Sequence, residues 1–231
     1  MESFSKAFFL ILHLDKELQG IIFLSIKVSG TALVVATLAG LPLSTILAFK
    51  KFPLRGLIIS ILNTFMGLPP VVVGLFVYLL ISRSGPLGFL SLLYTPVAMI
   101  IAQSILVFPI VTALSHSAIL GVDPVVKQAA ETLGATSLQL ALTVVGEARY
   151  GIMSAVIAAF GRVMAEVGAI LIVGGNIAGF TRVMTTTIAM ETDKGNFELA
   201  LALGILLLSI SLLVNTLLHS VQRKGVANRW S

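Results

Sequence analysis

Apolar side chains run along this chain in long unbroken stretches, and polar residues are gathered between them. Five stretches reach the roughly 20 residues that a helix needs to cross a hydrocarbon core about 30 Å thick: Ile21 to Ala48, Leu57 to Ser82, Leu92 to Leu120, Gly151 to Gly174 and Leu199 to Leu218. The pattern predicts an all-α polytopic membrane protein with five transmembrane helices. Transmembrane strands would show alternating segments of about ten residues instead. Phe4, Phe8, Ile11 and Leu12 recur at helical spacing in a stretch too short to cross, with Lys6, Asp15, Lys16 and Glu17 around them. Residues 1–18 are therefore expected to lie as a helix at the membrane surface, residues 19–220 to form one transmembrane domain, and residues 221–231 to form a basic tail. Without a basic start or a small-residue cleavage site, the first span is expected to act as an uncleaved insertion signal.

Composition narrows this further. Hydrophobic residues make up 57% of the 231 and charged residues only 11%, far from the balance of a soluble domain, and the absence of cysteine removes disulfides and thiolate metal centres. His13, His116 and His219 are dispersed with no His-Glu-x-x-His arrangement, so no metal site is expected. The few charges set an orientation. With the loop of Lys50, Lys51 and Arg55 inside, Lys127, Arg149, Arg223, Lys224 and Arg229 also fall inside, against Lys6, Lys16, Arg83, Arg182 and Lys194 outside. This puts the N-terminus outside and the C-terminus in the cytoplasm, and it explains the net charge of +5 without nucleic acid.

The inside connection from Gly121 to Tyr150 is too long for a simple link. Asp123 can cap a helix with Pro124 at its first position, Val125, Val126, Ala129, Ala130 and Leu133 then share a face, and Gly134 can end it. A second short helix is expected from Ser137 to Val145, before Gly146. Two short helices joined at a glycine form an elbow that either receives another protein or packs under its own bundle.

Polar groups inside the spans are functional candidates, because charge is costly there. Arg162 and Glu166, four apart, share a helix face and can form an ion pair near the midplane, either lining a path for an anion or tying helices together. Pro69 and Pro70 remove two backbone donors in the second span and require a kink there, and Pro109 suggests another in the third. Lys27 can snorkel to the headgroups. The outside loop from Gly175 to Glu198 combines Arg182, Thr185, Thr186 and Lys194 with an apolar Ile188-Ala189-Met190 run; part of it can dip inward as a gate, and the alternative is an ordinary solvated loop.

Gln128-Ala129-Ala130, three residues, Gly134 and nine residues to Val144 resemble the EAA loop of ABC importer permeases, with Gln128 in place of glutamate, Val144 of isoleucine and Gly146-Glu147 of Leu-Pro. Gly67-Leu68-Pro69-Pro70-Val71-Val72-Val73-Gly74 and Phe160-Gly161-Arg162 with Glu166-Val167-Gly168-Ala169 resemble the molybdate, tungstate and sulfate permeases. Thr181-Arg182-Val183-Met184-Thr185-Thr186 is similar to the tungstate branch. The resemblance covers most of the chain from Ile21 to His219. It implies a type I ABC importer permease of the inner membrane that pairs with a second copy of itself. An ATPase would dock at Asp123, Gln128, Ala129, Ala130, Glu131 and Gly134, and a substrate-binding protein would deliver the oxyanion outside, near Arg182. ATP and Mg would be held by the ATPase subunits, two per transporter, with no cofactor in this chain. No Gly-x-x-x-x-Gly-Lys phosphate loop occurs here, in keeping with a subunit that is not itself an enzyme. The readings left open are a molybdate or sulfate permease in place of a tungstate permease and, from another class, a stand-alone anion channel. No Ser sits in a Gly-x-Ser-x-Gly context that would suggest a membrane hydrolase.

Overall fold

The computed structural model describes residues 16–227, and within them every regular element is helical. The helix expected over Phe4 to Leu14 lies outside the described residues. The first helix, α1 (Lys16–Phe49), starts earlier than expected and at 34 residues is about 51 Å long, well beyond the hydrocarbon core. Its buried stripe includes Ser25, Ser29, Ala32, Ala36, Gly40 and Ser44, small residues that let a neighbouring backbone come close. That neighbour is α4 (Pro96–Leu120), the central helix and the most buried of the three long helices, with Ile105 and Leu120 exposed. A Cβ on Gly40 would lie 2.7 Å from Thr112 Oγ1, so the two helices meet at a point only glycine fits. The expected third span loses its first turn because Pro96 takes the N1 position and Thr95 caps it. It continues through Pro109 as one helix.

The second and fourth expected spans are not continuous helices. Leu57 to Ser82 divides into α2 (Arg55–Phe65) and α3 (Pro70–Ile81), bent by 108°. Gly151 to Gly174 divides into α7 (Arg149–Met164) and the short α8 (Gly168–Gly174). Before α7 come the two elbow helices, α5 (Pro124–Thr132) and α6 (Ser137–Glu147), and α6 meets α7 at 63°. After α8 the chain folds into α9 (Met184–Asp193), then the last helix, α10 (Phe197–Ala227), which carries straight through the start of the expected separate tail. Three helices are long and apolar enough to cross a membrane alone, and five crossings result if each bent pair is one span. Phe23, Leu38, Leu208 and Leu212 are each about 70% exposed on this single chain, as expected of faces turned to lipid or to another copy.

Candidate functional site

Both broken spans break at the same place in the molecule. Pro69 and Pro70 have no N–H, so α2 stops and α3 restarts with Pro70 at its first position, where the missing donor costs nothing. The Val72 N–H bonds the Pro69 carbonyl, leaving the Leu68 carbonyl outside the helical ladder. Arg162, in the last turn of α7, fills that place and donates Nη2 to the Leu68 carbonyl at 3.4 Å.

One turn later the fourth span opens. Glu166, 4% exposed, sits in the gap, its Oε1 accepting the Ala169 N–H at 2.9 Å while its own carbonyl accepts from Thr185 Oγ1 at 2.8 Å. The expected ion pair of Arg162 with Glu166 on an unbroken helix is thereby corrected. The helix ends between them, and each side chain takes a backbone partner that a break has orphaned.

The two re-started helices pack backbone to backbone. A Cβ on Gly74 of α3 would lie 2.8 Å from the Ala169 Cα of α8, and one on Gly168 would lie 2.8 Å from Val71 Cγ2. Gln103 of α4, fully buried, donates to the Val163 carbonyl at 3.2 Å and toward Ser29 at 3.5 Å, holding α7 and α1 to the central helix beside the break. Sequence reasoning missed Gln103, and its signal was an amide inside an otherwise apolar run. The result is a partly buried crossing of two interrupted spans, tied by single polar groups.

The connection from Gly175 to Glu198 is exposed over residues 177–180 and 192–197 but largely buried between them. Thr185 and Thr186, candidates for an outer gate or a docking surface, are buried: Thr185 bonds the Glu166 carbonyl, and Thr186 donates to Asn176 Oδ1 at 2.9 Å. Burial follows from the apolar positions around them, since Val183 and Met184 are almost wholly enclosed. The Met184 N–H donates to Ser25 Oγ at 2.8 Å, pinning the start of α9 to α1. Arg182 is half-buried and reaches Glu17 of α1 at 3.5 Å. Glu191 accepts from Lys194 at 3.0 Å and from Asn196 at 2.9 Å. The Lys194 hydrogen bond, with help from Asn196, holds the Glu191 carboxyl below the usual carboxylate value against the opposing effect of burial. Lys27 is exposed, as a snorkelling lysine should be.

At the opposite end the elbow forms as its sequence dictates. Asp123 Oδ1 accepts the Val125 N–H at 2.9 Å, Pro124 occupies the first position, and Gly134 ends the helix at φ +79°. Thr136 and Gln139 form a capping box for α6, a signal the sequence carried and reasoning from Ser137 overlooked. Leu140 and Val144 anchor α6 on Ile119, Ala148 and Ile152. No residue of α5 is buried; Gln128, Ala129 and Glu131 are exposed, Ala130 is half-buried, and Leu133 is 87% exposed.

Residues 40–224 match the family model of the binding-protein-dependent transport system inner membrane component. The chain is 42% identical over 223 residues to a tungstate uptake system permease protein of Peptoclostridium acidaminophilum, covering 96% of this chain and 98% of that one. It is 48% identical over 198 residues to a probable anion ABC transporter permease protein of Haloferax volcanii, covering 84% and 85%. In fold it is similar to a bacterial ABC transporter involved in importing the acidic polysaccharide alginate, with a TM-score of 0.73 at 18% identity over 94% of this chain and 82% of that one.

Proposed function

The chain belongs to the family of inner membrane components of binding-protein-dependent transport systems, and from that membership we propose that it is the permease of an ABC importer carrying tungstate into the cytoplasm. The observation that carries this reading is the elbow, whose α5 is exposed and whose α6 is anchored on a bundle with two spans broken at one crossing. ATP is hydrolysed, with Mg, on two separate ATPase subunits. Each seats an elbow, with Gln128, Ala129, Ala130, Glu131 and Leu133 at the contact and Asp123 and Gly134 fixing its two ends. Two copies of the chain frame the path, N-termini outside and C-termini in the cytoplasm.

Rotation of the elbow is passed through α6 and α7 to the crossing, where Arg162, Pro69, Pro70 and Glu166 hold the interrupted segments together. Thr185 and Thr186 tie that crossing to the outer connection, and Arg182 lies at the rim where a substrate-binding protein docks. The whole-length similarity to a tungstate permease supports tungstate over the other tetrahedral dianions. Uptake by the reconstituted complex tests this: tungstate should accumulate and unlabelled tungstate should compete better than molybdate or sulfate. Preferential sulfate or molybdate uptake would reassign the substrate within the same class.

A further inference from the structure

A second polar site lies away from the crossing and the elbow. At the end of α3 the chain turns through a short 3-10 segment (Gly88–Leu90) before α4, enclosing a cavity of about 510 Å³ lined by Tyr78, Ser82, Arg83, Ser84, Ser91 and Tyr94 among others. One guanidinium and five hydroxyl-bearing side chains line it, with no carboxylate; the Ser82 hydroxyl is given to the Leu79 carbonyl and lies 3.5 Å from that of Ser84, and the rest of the set suits an anion with several oxygens.

The wall is rigidly made. Glycine is required at 85 and 88, where a Cβ would run into the backbone of Leu79 and Ser82 at the end of α3. Tyr94 and Ser91 adopt φ of 60° and 50°, a left-handed conformation that is costly for a bulky aromatic residue and is a mark of functional sites. Tyr94 is held there by its N–H on the Val173 carbonyl at 2.9 Å, and Tyr78 lines the same cavity. Its ring covers Gly175, directly after α8. The carbonyls at the end of α3 face no anion: Tyr78 O accepts from the Ser82 N–H, Leu80 O from the Leu87 N–H, and Leu79 O from Ser82 Oγ. Arg83 is exposed and has no ion pair among the described residues.

We infer that this cavity is a transient binding site for the tetrahedral oxyanion at the outer mouth of the path, with Arg83 as its charge and the Tyr94 and Tyr78 hydroxyls in its wall. The inference rests on the proposed function. One exposed cation with neutral hydroxyls gives a weak site, as conduction requires, since an ion must leave as readily as it enters. Its place beside the end of α8 puts a released anion next to the interrupted span.

The chain contains only three tyrosines, Tyr78, Tyr94 and Tyr150, and Tyr150 lies at the elbow, so fluorotyrosine labelling reads the site directly. In nanodiscs holding the full-length chain, sodium tungstate titrated at constant ionic strength should shift the Tyr78 and Tyr94 fluorine resonances saturably and leave Tyr150 unmoved, with sodium chloride as the blank. Arg83→Gln should weaken the apparent affinity about tenfold or more, the loss expected of one charge-assisted contact, and Arg83→Lys should recover part of it. Tyr94→Phe, which keeps the ring, should also weaken the response still reported by Tyr78. An unsaturable shift, the same shift in chloride, or full affinity in Arg83→Gln would overturn the site. Transport by the wild-type complex, measured in parallel, separates the two readings: uptake without tyrosine shifts overturns this site alone, and saturable shifts without uptake overturn the transport reading and leave the site standing.

Discussion

Arg162 donates to the carbonyl of Leu68 at 3.4 Å, joining residues 94 positions apart at the point where both of their spans are interrupted. The guanidinium takes the position of the Val72 N–H, which turns to the Pro69 carbonyl where α3 restarts at the two prolines. The bond is half-buried, and a fully buried carbonyl without a partner would cost of order 1–3 kcal/mol, so this contact helps fix the relation between α3 and α7.

Arg162→Gln should therefore lower stability by about 1–3 kcal/mol, the range for a hydrogen bond to a charged donor, and reduce uptake. Arg162→Lys should recover part of the stability. Thermal unfolding in detergent and uptake in proteoliposomes check both; an unchanged midpoint and full uptake in Arg162→Gln would remove the tie from the mechanism.

Gly74 and Gly30 make a controlled pair. Gly74→Val forces α3 off the backbone of α8 and should be severely destabilising, at about 3 kcal/mol or more by analogy with overpacked cores. Gly30, in α1, has no atom within 4 Å of a built Cβ, and Gly30→Ala should be neutral or stabilising by about 0.5–1 kcal/mol because alanine favours the helix. Expression level and unfolding midpoint distinguish the two.

At Gly134 the surroundings are open, so a substitution is opposed by backbone strain alone. Gly134→Val should cost about 1–2 kcal/mol locally, misplace α5 and lose ATPase association and uptake, with membrane insertion intact. Gly134→Asn, which tolerates the left-handed region, should retain more of both. Co-purification of the ATPase is the readout.

Glu191 gives a pH dependence with a definite sign. Its folded-state pKa lies below the ordinary 4.5, so its stabilising contribution is present above about pH 4.5 and is lost as pH falls through the folded-state value. Wild type should lose stability in that acid range relative to Glu191→Gln, and the two should show parallel profiles well above it. Unfolding midpoints across pH 3 to 7, bracketing the ordinary carboxylate range, test this.

The elbow could be read from sequence because its signals are local: Asp123, Pro124 and Gly134 each act within one turn of their own position. The apolar spans were legible for the same reason, as transfer free energy adds along a contiguous run. The break before Gly168 was not, since no proline marks it and Glu166 satisfies a donor that only exists once the helix has opened. Nor could the Arg162 and Leu68 contact be read, because it depends on two spans crossing. Whether Thr185 and Thr186 dip inward or stay in solvent could not be read either, because it is decided by where Ser25 and Glu166 stand in the fold.

The most direct test compares flux through the chain alone with flux through the assembled transporter. Proteoliposomes containing the chain without its ATPase should be tight to tungstate, and adding the ATPase, ATP with Mg and the loaded binding protein should produce accumulation against a gradient. Tungstate or chloride leaking through the chain alone at a rate that ATP and the binding protein do not change would contradict the account and make the protein a channel.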